Sequence, residues 1–187
     1  GHTMQLDYDR IAPLYNGRFS ESSRADTAAA LQRLAQELRA GNVLEVGCGT
    51  GHWLLLLPGT CQVYGLDRST GMLKQAQQAR GNLKLCCGRA EELPFPDQFF
   101  DLVYCVNAIH HFEDARAFVH QARRLLRPGG ALAVIGSEPR RPGDSWYVYD
   151  YFDGTYARDL ERFPSWGTVI DWMVETRFEH AEWRTID

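Results

Sequence analysis

The sequence predicts an α/β fold with a doubly wound, mostly parallel sheet and helices on both faces. Three observations support this fold class. Short apolar runs alternate with amphipathic segments along most of the 187 residues, as in proteins built from repeated strand–helix units. Residues 43–57 have the pattern of a buried strand, a glycine-rich turn and a helix start. Asp67 ends the next predicted strand, 20 residues after the first glycine of that turn, a separation typical of nucleotide-cofactor folds.

The other elements follow from hydrophobic periodicity and from breaker residues. A helix over 21–40 is predicted because alanine and leucine recur at helical spacing, and Gly41 supplies its C-terminal stop. The Pro-Gly-Gly cluster at 128–130 ends a later helix. Strands are predicted at 43–46, 61–67, 82–87, 99–106, 131–136 and 180–186, and further helices at 114–127 and 164–176.

Composition and charge argue against several classes of protein. With 24% charged residues and a net charge of -4, the chain lacks the basic surface expected of a general nucleic-acid binder. Five cysteines without extracellular-type spacing indicate reduced thiols and a cytoplasmic protein. The longest apolar run, 53–57, is too short for a membrane span, and no signal peptide is recognisable. Residues 1–3, before Met4, are interpreted as a cloning remnant.

The glycine-rich turn has the spacing Gly47-x-Gly49-x-Gly51. Glycines allow the backbone to turn tightly and to approach a ligand, and the following helix start offers unpaired N–H groups. The spacing is one residue shorter than the dinucleotide pattern Gly-x-Gly-x-x-Gly, and no Gly-Lys-Ser/Thr of a phosphate loop follows. Glu45, two residues before the first glycine, suits a ligand that carries a positive charge. The alternative is an ordinary strand–turn–helix corner.

Several motifs resemble those of class I S-adenosylmethionine-dependent methyltransferases that act on small molecules. Glu45-x-Gly47-x-Gly49-x-Gly51 resembles their motif I, and the run 126–130, Leu-Arg-Pro-Gly-Gly before an apolar strand, resembles a second signature. The resemblance covers residues 42–137 almost continuously. It implies a Rossmann-like methyltransferase fold with S-adenosyl-L-methionine as cofactor and S-adenosyl-L-homocysteine as product.

The acidic residue at the end of the second predicted strand has two interpretations. Asp67 can accept hydrogen bonds from both ribose hydroxyls of a nucleoside, with Arg68 beside it. It can instead cap the next helix, a role that Ser69 fills equally well. The resemblance implies that Met72, one turn into that helix, packs on the adenine; the alternative is that Met72 belongs to the core.

Residues 88–95 resemble a family motif that usually reads Gly-Asp-Ala-Glu-x-Leu-Pro-Phe, and here Arg89 replaces the Asp. In the family that Asp accepts a hydrogen bond from the adenine amino group, and the Ala N–H donates to the ring. An arginine cannot accept a hydrogen bond, so Glu91 is the predicted replacement. The contact of the Ala90 backbone needs no side chain and is expected to persist. Arg89 is expected to stack on the adenine face.

Residues 106–111 follow the fourth predicted strand and are expected to face the methyl group, because ligands bind where strand order reverses. The resemblance implies that the Val106 carbonyl and Asn107 lie near the methionine part of the cofactor. His110 and His111 are the candidate catalytic bases of this loop, and structural hydrogen bonding is the alternative. No third and fourth ligand stand at zinc-site spacing. The predicted cofactor-binding residues are Tyr15, Arg18, Glu45, Gly47, Cys48, Gly49, Gly51, Asp67, Arg68, Met72, Arg89, Ala90, Glu91, Val106 and Asn107.

Three parts of the chain are expected. Residues 1–20 resemble an N-terminal cap segment in which Tyr15 and Arg18 close over the cofactor, although a surface helix is an alternative. Residues 21–137 form the cofactor-binding core, and 138–187 the substrate side. Half of the family's C-terminal hairpin is missing, which indicates either a shortened chain or a sheet edge covered by a second subunit, as in a homodimer. An aromatic acceptor pocket is predicted from Trp146, Tyr147, Tyr149, Tyr151 and Tyr156.

The predicted function is transfer of a methyl group from S-adenosylmethionine to a small aromatic or apolar acceptor. The sequence does not identify the acceptor atom. Three alternatives are retained. A module that binds the cofactor without catalysis is suggested by Arg89 and the shortened end, and an NAD-dependent reductase is disfavoured by the glycine spacing. Arsenic methylation is suggested by five cysteines, but most of them fall in predicted strands, where small buried residues are common.

Overall fold

The computed structural model describes residues 11–16, 21–79, 83–136, 166–176 and 180–185. The strands of these ranges are β1 Ile11–Asn16, β2 Asn42–Val46, β3 Gln62–Asp67, β4 Lys84–Cys87, β5 Phe100–Val106, β6 Leu126–Gly136 and β7 His180–Thr185. The helices are α1 Glu21–Glu37, α2 Thr70–Ala79, α3 Ala115–Leu125 and α4 Trp166–Glu175. Short 3₁₀ turns cover Leu54–Leu56 and Ile109–His111.

The seven strands form one sheet in the order β4-β3-β2-β5-β6-β1-β7. Every pair of neighbouring strands in it is parallel. From β2 the chain moves outward to β3 and β4, and it then crosses to β5 and β6 on the other side. The loops after β2 and β5 therefore diverge from one point, which opens a crevice at the carboxyl ends of these strands. The predicted doubly wound α/β fold is confirmed.

Helices cover both faces of the sheet because side chains alternate between the faces along each strand. On one face, Leu34 of α1 and Ala76 of α2 pack in a cluster with Val43 and Tyr104. On the other face, α3 and α4 pack against Leu44 and its neighbours. The predicted helix start at Asp114 is confirmed, since its Oδ1 accepts the Ala117 N–H at 3.0 Å.

Two elements differ locally from their predictions. The helix expected after the glycine turn is a 3₁₀ turn, Leu54–Leu56, because Pro58 follows too soon for a longer helix to form. Strand β6 begins at Leu126, five residues earlier than predicted, and its register against β5 shifts between Phe100 and Leu102. Gly129, at φ +88°, supplies the backbone conformation that this irregularity needs.

The N-terminal segment contributes a strand to the sheet. Ile11–Asn16 lies between β6 and β7, whereas the sequence suggested a cap segment or a surface helix; Pro13 disfavours the helix. The strand expected at 180–186 forms as β7 and pairs with β1. Of the helices in the described ranges, none is both long and apolar enough to cross a bilayer. The five cysteines form no disulfide.

Candidate functional site

A cavity of about 410 Å³ lies in the crevice where strand order reverses, and its size is typical of small-molecule sites. Four adjacent strands contribute to its wall through their carboxyl ends and the loops that follow. The lining residues are Val46, Gly47, Leu66, Asp67, Arg68, Ser69, Gly88, Ala90, Glu91, Val106, Asn107, Ala108, His111 and Phe112. We call this space the crevice cavity. It gathers residues that the sequence analysis had assigned to separate motifs.

The glycine turn is held tightly against two neighbouring strands. The N–H groups of Gly47 and Cys48 donate to the Leu66 carbonyl at 2.8 and 3.0 Å, which ties the turn to β3. Gly47 has φ +78°, and a Cβ there would stand only 2.7 Å from the Ala108 Cβ. Glycine is therefore required at 47 both for its backbone conformation and for the close approach of the β5 loop. The turn has little freedom to collapse into the cavity.

Asp67 is fixed in orientation by two backbone groups. Its Oδ2 accepts the Gly49 N–H at 2.9 Å, and its Oδ1 accepts the Ser69 N–H at 2.8 Å. Ser69 Oγ accepts the Met72 N–H at 3.2 Å, so Ser69 performs the helix-capping role that the sequence left open between the two residues. A carboxylate oxygen has two lone pairs. Each oxygen of Asp67 can therefore accept one more hydrogen bond from a ligand.

Glu91 lies on the wall of the cavity, whereas Arg89 does not line it. Glu91 Oε1 accepts the Asp114 N–H at 3.1 Å. Its buried Oε2 accepts no hydrogen bond from the described residues, and the Arg89 Nε is 3.7 Å from it. The Arg89 guanidinium instead donates to Glu113 Oε2 at 2.9 Å. Glu91 thus lines the cavity with an Oε2 that is buried in the wall and retains hydrogen-bonding capacity.

Asn107 begins the loop after β5 in an uncommon backbone conformation. Its φ is +52°, a left-handed value that asparagine tolerates better than most residues. Its N–H donates to the Ile135 carbonyl at 2.7 Å, which anchors the loop to β6. The side-chain Oδ1 is buried and accepts no hydrogen bond from the described part of the chain. A strained residue with an available acceptor on a cavity wall is typical of a binding site.

The two candidate bases occupy different positions. His111 lines the crevice cavity, and its backbone N–H donates to the Ala108 carbonyl at 2.9 Å. His110 is 4% exposed and is not part of that wall. The two rings are 3.9 Å apart between centroids. Of the two, His111 is therefore the one placed to meet a ligand in the crevice.

Glu45 is buried in the core and does not line the crevice cavity. It is 1% exposed, and its Oε1 accepts the Tyr104 hydroxyl at 3.0 Å. Burial raises the pKa of the Glu45 carboxyl well above its usual range, although the Tyr104 hydrogen bond acts in the opposite direction. Burial also raises the pKa of the neighbouring Cys48 thiol. The structure therefore places Glu45 in the core beneath the glycine turn.

Other predicted residues are also away from the cavity wall. Met72 is 45% exposed, and Arg89 pairs with Glu113. Cys48, Gly49 and Gly51 form the turn without lining the cavity. Tyr15 contributes its backbone to β1. The predictions for Arg18, Trp146, Tyr147, Tyr149, Tyr151 and Tyr156 fall outside the described residues.

Six lining residues are absent from the list of predicted site residues: Val46, Leu66, Ser69, Gly88, Ala108 and Phe112. Leu66 and Phe112 form apolar parts of the wall, and Ser69 lies beside Asp67. Phe112 directly follows the two histidines, and an aromatic residue at the end of that motif was the available signal. Its ring packs on Phe118 of α3 at 4.9 Å between centroids, which fixes its position.

A second cavity, of about 710 Å³, adjoins the crevice cavity. Arg68, His111 and Phe112 line both spaces. The rest of its wall comes from His110, from the start of α3 and from Trp172 of α4. We call this space the lateral cavity. Among the described residues, no group of three or more His, Cys, Asp and Glu side chains is placed to hold a metal ion.

Comparison with known proteins identifies the family. A profile described as a methyltransferase domain matches residues 44–134. Demethylmenaquinone methyltransferase of Listeria welshimeri is 31% identical over 178 residues, which cover 85% of this chain and 72% of the relative. The enzyme of that name from Geobacillus kaustophilus is 33% identical over 155 residues, or 78% of this chain and 64% of the relative.

A solved structure agrees with the sequence relatives. An S-adenosylmethionine-dependent methyltransferase from Thermotoga maritima superposes with a TM-score of 0.60 at 25% identity, covering 86% of this chain and 77% of that one. The sheet order, the crevice and these relatives lead to one conclusion. The chain belongs to the class I S-adenosylmethionine-dependent methyltransferases, and S-adenosylmethionine is its cofactor.

Proposed function

We propose that the crevice cavity binds S-adenosylmethionine and that the chain transfers its methyl group to an aromatic acceptor of the quinone class. One observation carries the cofactor part of this proposal. Three oxygen acceptors that retain hydrogen-bonding capacity line a single cavity: the carboxylates of Asp67 and Glu91 and the amide oxygen of Asn107. S-adenosylmethionine carries three groups of donors, namely the ribose hydroxyls, the adenine amino group and the ammonium group.

The residues present fit these three groups of donors. Asp67 accepts from the ribose hydroxyls, because both of its oxygens are oriented by backbone N–H groups and keep a free lone pair. Glu91 accepts from the adenine amino group through its buried Oε2. Asn107 accepts from the ammonium group through Oδ1. Leu66 and Phe112 provide the apolar surface that a purine ring requires.

The protein's own contribution to the reaction is orientation and proton removal. When bound, the cofactor supplies a methyl group already activated by a positively charged sulfur. Holding an acceptor in line with that group can contribute roughly 7–11 kcal/mol. His111, on the wall shared by both cavities, accepts the proton that the acceptor loses. A positioned base of this kind adds about 10²–10⁴-fold to the rate.

The acceptor class is supported by the sequence relatives. Two enzymes that share 31% and 33% identity with this chain are named for demethylmenaquinone. A quinone in its reduced form is an aromatic ring with two hydroxyl groups, and such a ring matches the aromatic or apolar acceptor that the sequence predicts. We therefore propose a reduced quinone, or a simpler dihydroxy aromatic, as the methyl acceptor.

The cofactor part is tested by calorimetry with S-adenosylmethionine and S-adenosylhomocysteine. We expect micromolar binding, which corresponds to about -8 kcal/mol, and loss of binding in Asp67→Ala. Asp67→Asn is the matched control, because its amide retains one acceptor oxygen and should weaken binding less. Absence of binding to the unaltered chain would contradict the proposal.

The transfer part is tested with cofactor labelled in its methyl group and with 1,4-dihydroxynaphthalene as acceptor. We expect label in the naphthalene product, and less of it in His111→Ala at neutral pH than in the unaltered chain. Tight cofactor binding without transfer to any dihydroxy aromatic would instead support a module that binds the cofactor without catalysis.

A further inference from the structure

We propose that the lateral cavity is the acceptor site and that it takes an uncharged aromatic ring carrying hydroxyl or carbonyl oxygens. This inference rests on the methyl transfer proposed above. The lateral cavity has a volume of about 710 Å³, sufficient for a two-ring acceptor. It shares Arg68, His111 and Phe112 with the crevice cavity. A ligand in the lateral cavity therefore lies directly beside a cofactor in the crevice.

Helix α4 forms the outer wall of the lateral cavity through Trp172, and this helix is held firmly in place. Val169 and Met173 of this helix are fully buried in the core. Arg116 of α3 donates to both carboxylate oxygens of Glu175. These contacts tie α4 to α3 at the position where Trp172 lines the cavity. The indole of Trp172 is therefore a fixed aromatic surface.

The shape and chemistry of the wall favour an aromatic ligand. Trp172 and Phe112 both contribute aromatic surface to the lateral cavity, and aromatic rings pack favourably on such surfaces. The rings of His110 and His111 lie side by side on the same wall. The ring nitrogens of His110 are buried, so His111, which lines both cavities, is the imidazole placed to meet the oxygen substituents of a hydroquinone.

The charges around the lateral cavity favour an acceptor without a carboxylate or phosphate. Arg68 pairs with Glu113 at 3.3 Å, and Arg116 pairs with Glu175. Both arginines of the wall are thus paired with carboxylates, although Glu113 also pairs with Arg89. Asp114 adds a further negative charge to the wall. The charged side chains of the wall, two arginines and two carboxylates, sum to zero, so an anionic acceptor would gain little from them while burial of its charge would cost desolvation.

The site is tested by substitution of Trp172 in the full chain saturated with S-adenosylhomocysteine. Binding of 1,4-dihydroxynaphthalene is measured by calorimetry under reducing conditions. We expect Trp172→Ala to weaken this binding at least tenfold and to raise the acceptor KM by a similar factor, with unchanged affinity for S-adenosylhomocysteine. Trp172→Phe should stay within threefold of the unaltered chain. Asp171→Ala is the matched control, because Asp171 is the exposed neighbour of Trp172 on α4.

A second measurement uses the unaltered fold. The chain is labelled with 5-fluorotryptophan, and the fluorine resonance of position 172 is assigned by its absence in Trp172→Phe. We expect this resonance to shift when 1,4-dihydroxynaphthalene is added. The carboxylated analogue, 1,4-dihydroxy-2-naphthoate, should bind at least fivefold more weakly than the uncharged ring.

The outcomes separate this inference from the proposed function. Transfer to 1,4-dihydroxynaphthalene with an unchanged KM in Trp172→Ala and a static fluorine resonance would support methyl transfer and overturn the lateral cavity as its acceptor site. Binding that depends on Trp172 without any methyl transfer would support the site and contradict the proposed function. If the unaltered chain neither binds the ring nor shows a fluorine shift, the inference is overturned.

Discussion

Substitution of Glu91 by glutamine tests how the cofactor's purine is recognised. The side chain of Glu91 keeps its hydrogen bond to the Asp114 N–H after the change, because Oε1, the acceptor of that bond, remains an oxygen. The second oxygen, the buried Oε2, becomes an NH₂ group. In the proposed complex a donor then faces the adenine amino group, which is itself a donor. The substitution therefore removes one hydrogen bond without removing side-chain volume.

The expected magnitude follows from the charge of the acceptor. A hydrogen bond to a charged group contributes about 1.5–3 kcal/mol, which corresponds to roughly 10- to 150-fold in Kd. We therefore expect Glu91→Gln to weaken S-adenosylhomocysteine binding by at least tenfold. A ligand without the amino group should lose little, since it has no hydrogen bond to Glu91 in the unaltered chain.

The assay is a cycle of two proteins and two ligands measured by calorimetry. The second ligand is the analogue of S-adenosylhomocysteine that carries unsubstituted purine in place of adenine. The coupling between the substitution and the amino group should be at least about 1.5 kcal/mol. Glu92→Gln is the matched control, because Glu92 is exposed and does not line the cavity. Equal weakening of both ligands in Glu91→Gln would refute recognition of the amino group by Glu91.

Two further predictions concern the glycine turn and the buried acid beneath it. Gly47→Ala should lower thermal stability more than Gly49→Ala. Both glycines have positive φ, but only a Cβ at 47 would meet a neighbouring atom, at 2.7 Å. Overpacking of this kind typically costs about 1–3 kcal/mol, and equal losses of Tm in the two variants would contradict the argument. Glu45→Gln should flatten the pH dependence of unfolding. Burial holds the pKa of Glu45 above its value in the unfolded chain. The contribution of Glu45 to the free energy of unfolding therefore falls as pH rises above about 4.3, with a slope of at most about 1.36 kcal/mol per pH unit. Urea unfolding of the unaltered chain and of Glu45→Gln at pH 4, 5, 6 and 7 measures this effect. Parallel plots of unfolding free energy against pH for the two proteins would contradict a raised pKa.

The fold and the position of the crevice could be predicted because their signals are local. Apolar runs with strand or helix periodicity mark the sheet, and the separation between Gly47 and Asp67 marks the cofactor end of it. Asp67 lines the crevice cavity, as does Asn107. Asp67 is the last residue of β3, and Asn107 directly follows β5. Their placement can therefore be predicted without knowledge of distant contacts.

The predicted residues that lie away from the cavity wall have positions set by contacts between distant parts of the chain. Glu45 follows the glycine-motif pattern, but its carboxyl meets Tyr104, 59 residues away, on the face covered by α1 and α2. Arg89 does not line the cavity, and its guanidinium donates to Glu113, 24 residues away. Met72 lies on α2, whose buried positions are Leu73 and Ala76, and its own position faces outward. Spacing along the sequence contains no information about such partners.

The carboxylates of the crevice are held in place in the same way, and this arrangement favours a cationic cofactor. Backbone N–H groups orient the carboxylates of Asp67 and Glu91, and Arg89 approaches Glu91 only at 3.7 Å. Their negative charge therefore remains directed at the cavity, while Arg68 and Arg89 both pair with Glu113. Acceptors fixed in advance lose little conformational entropy when a ligand binds. A ligand with a sulfonium and an ammonium group gains from this negative wall, and a dinucleotide with a pyrophosphate would be repelled by it.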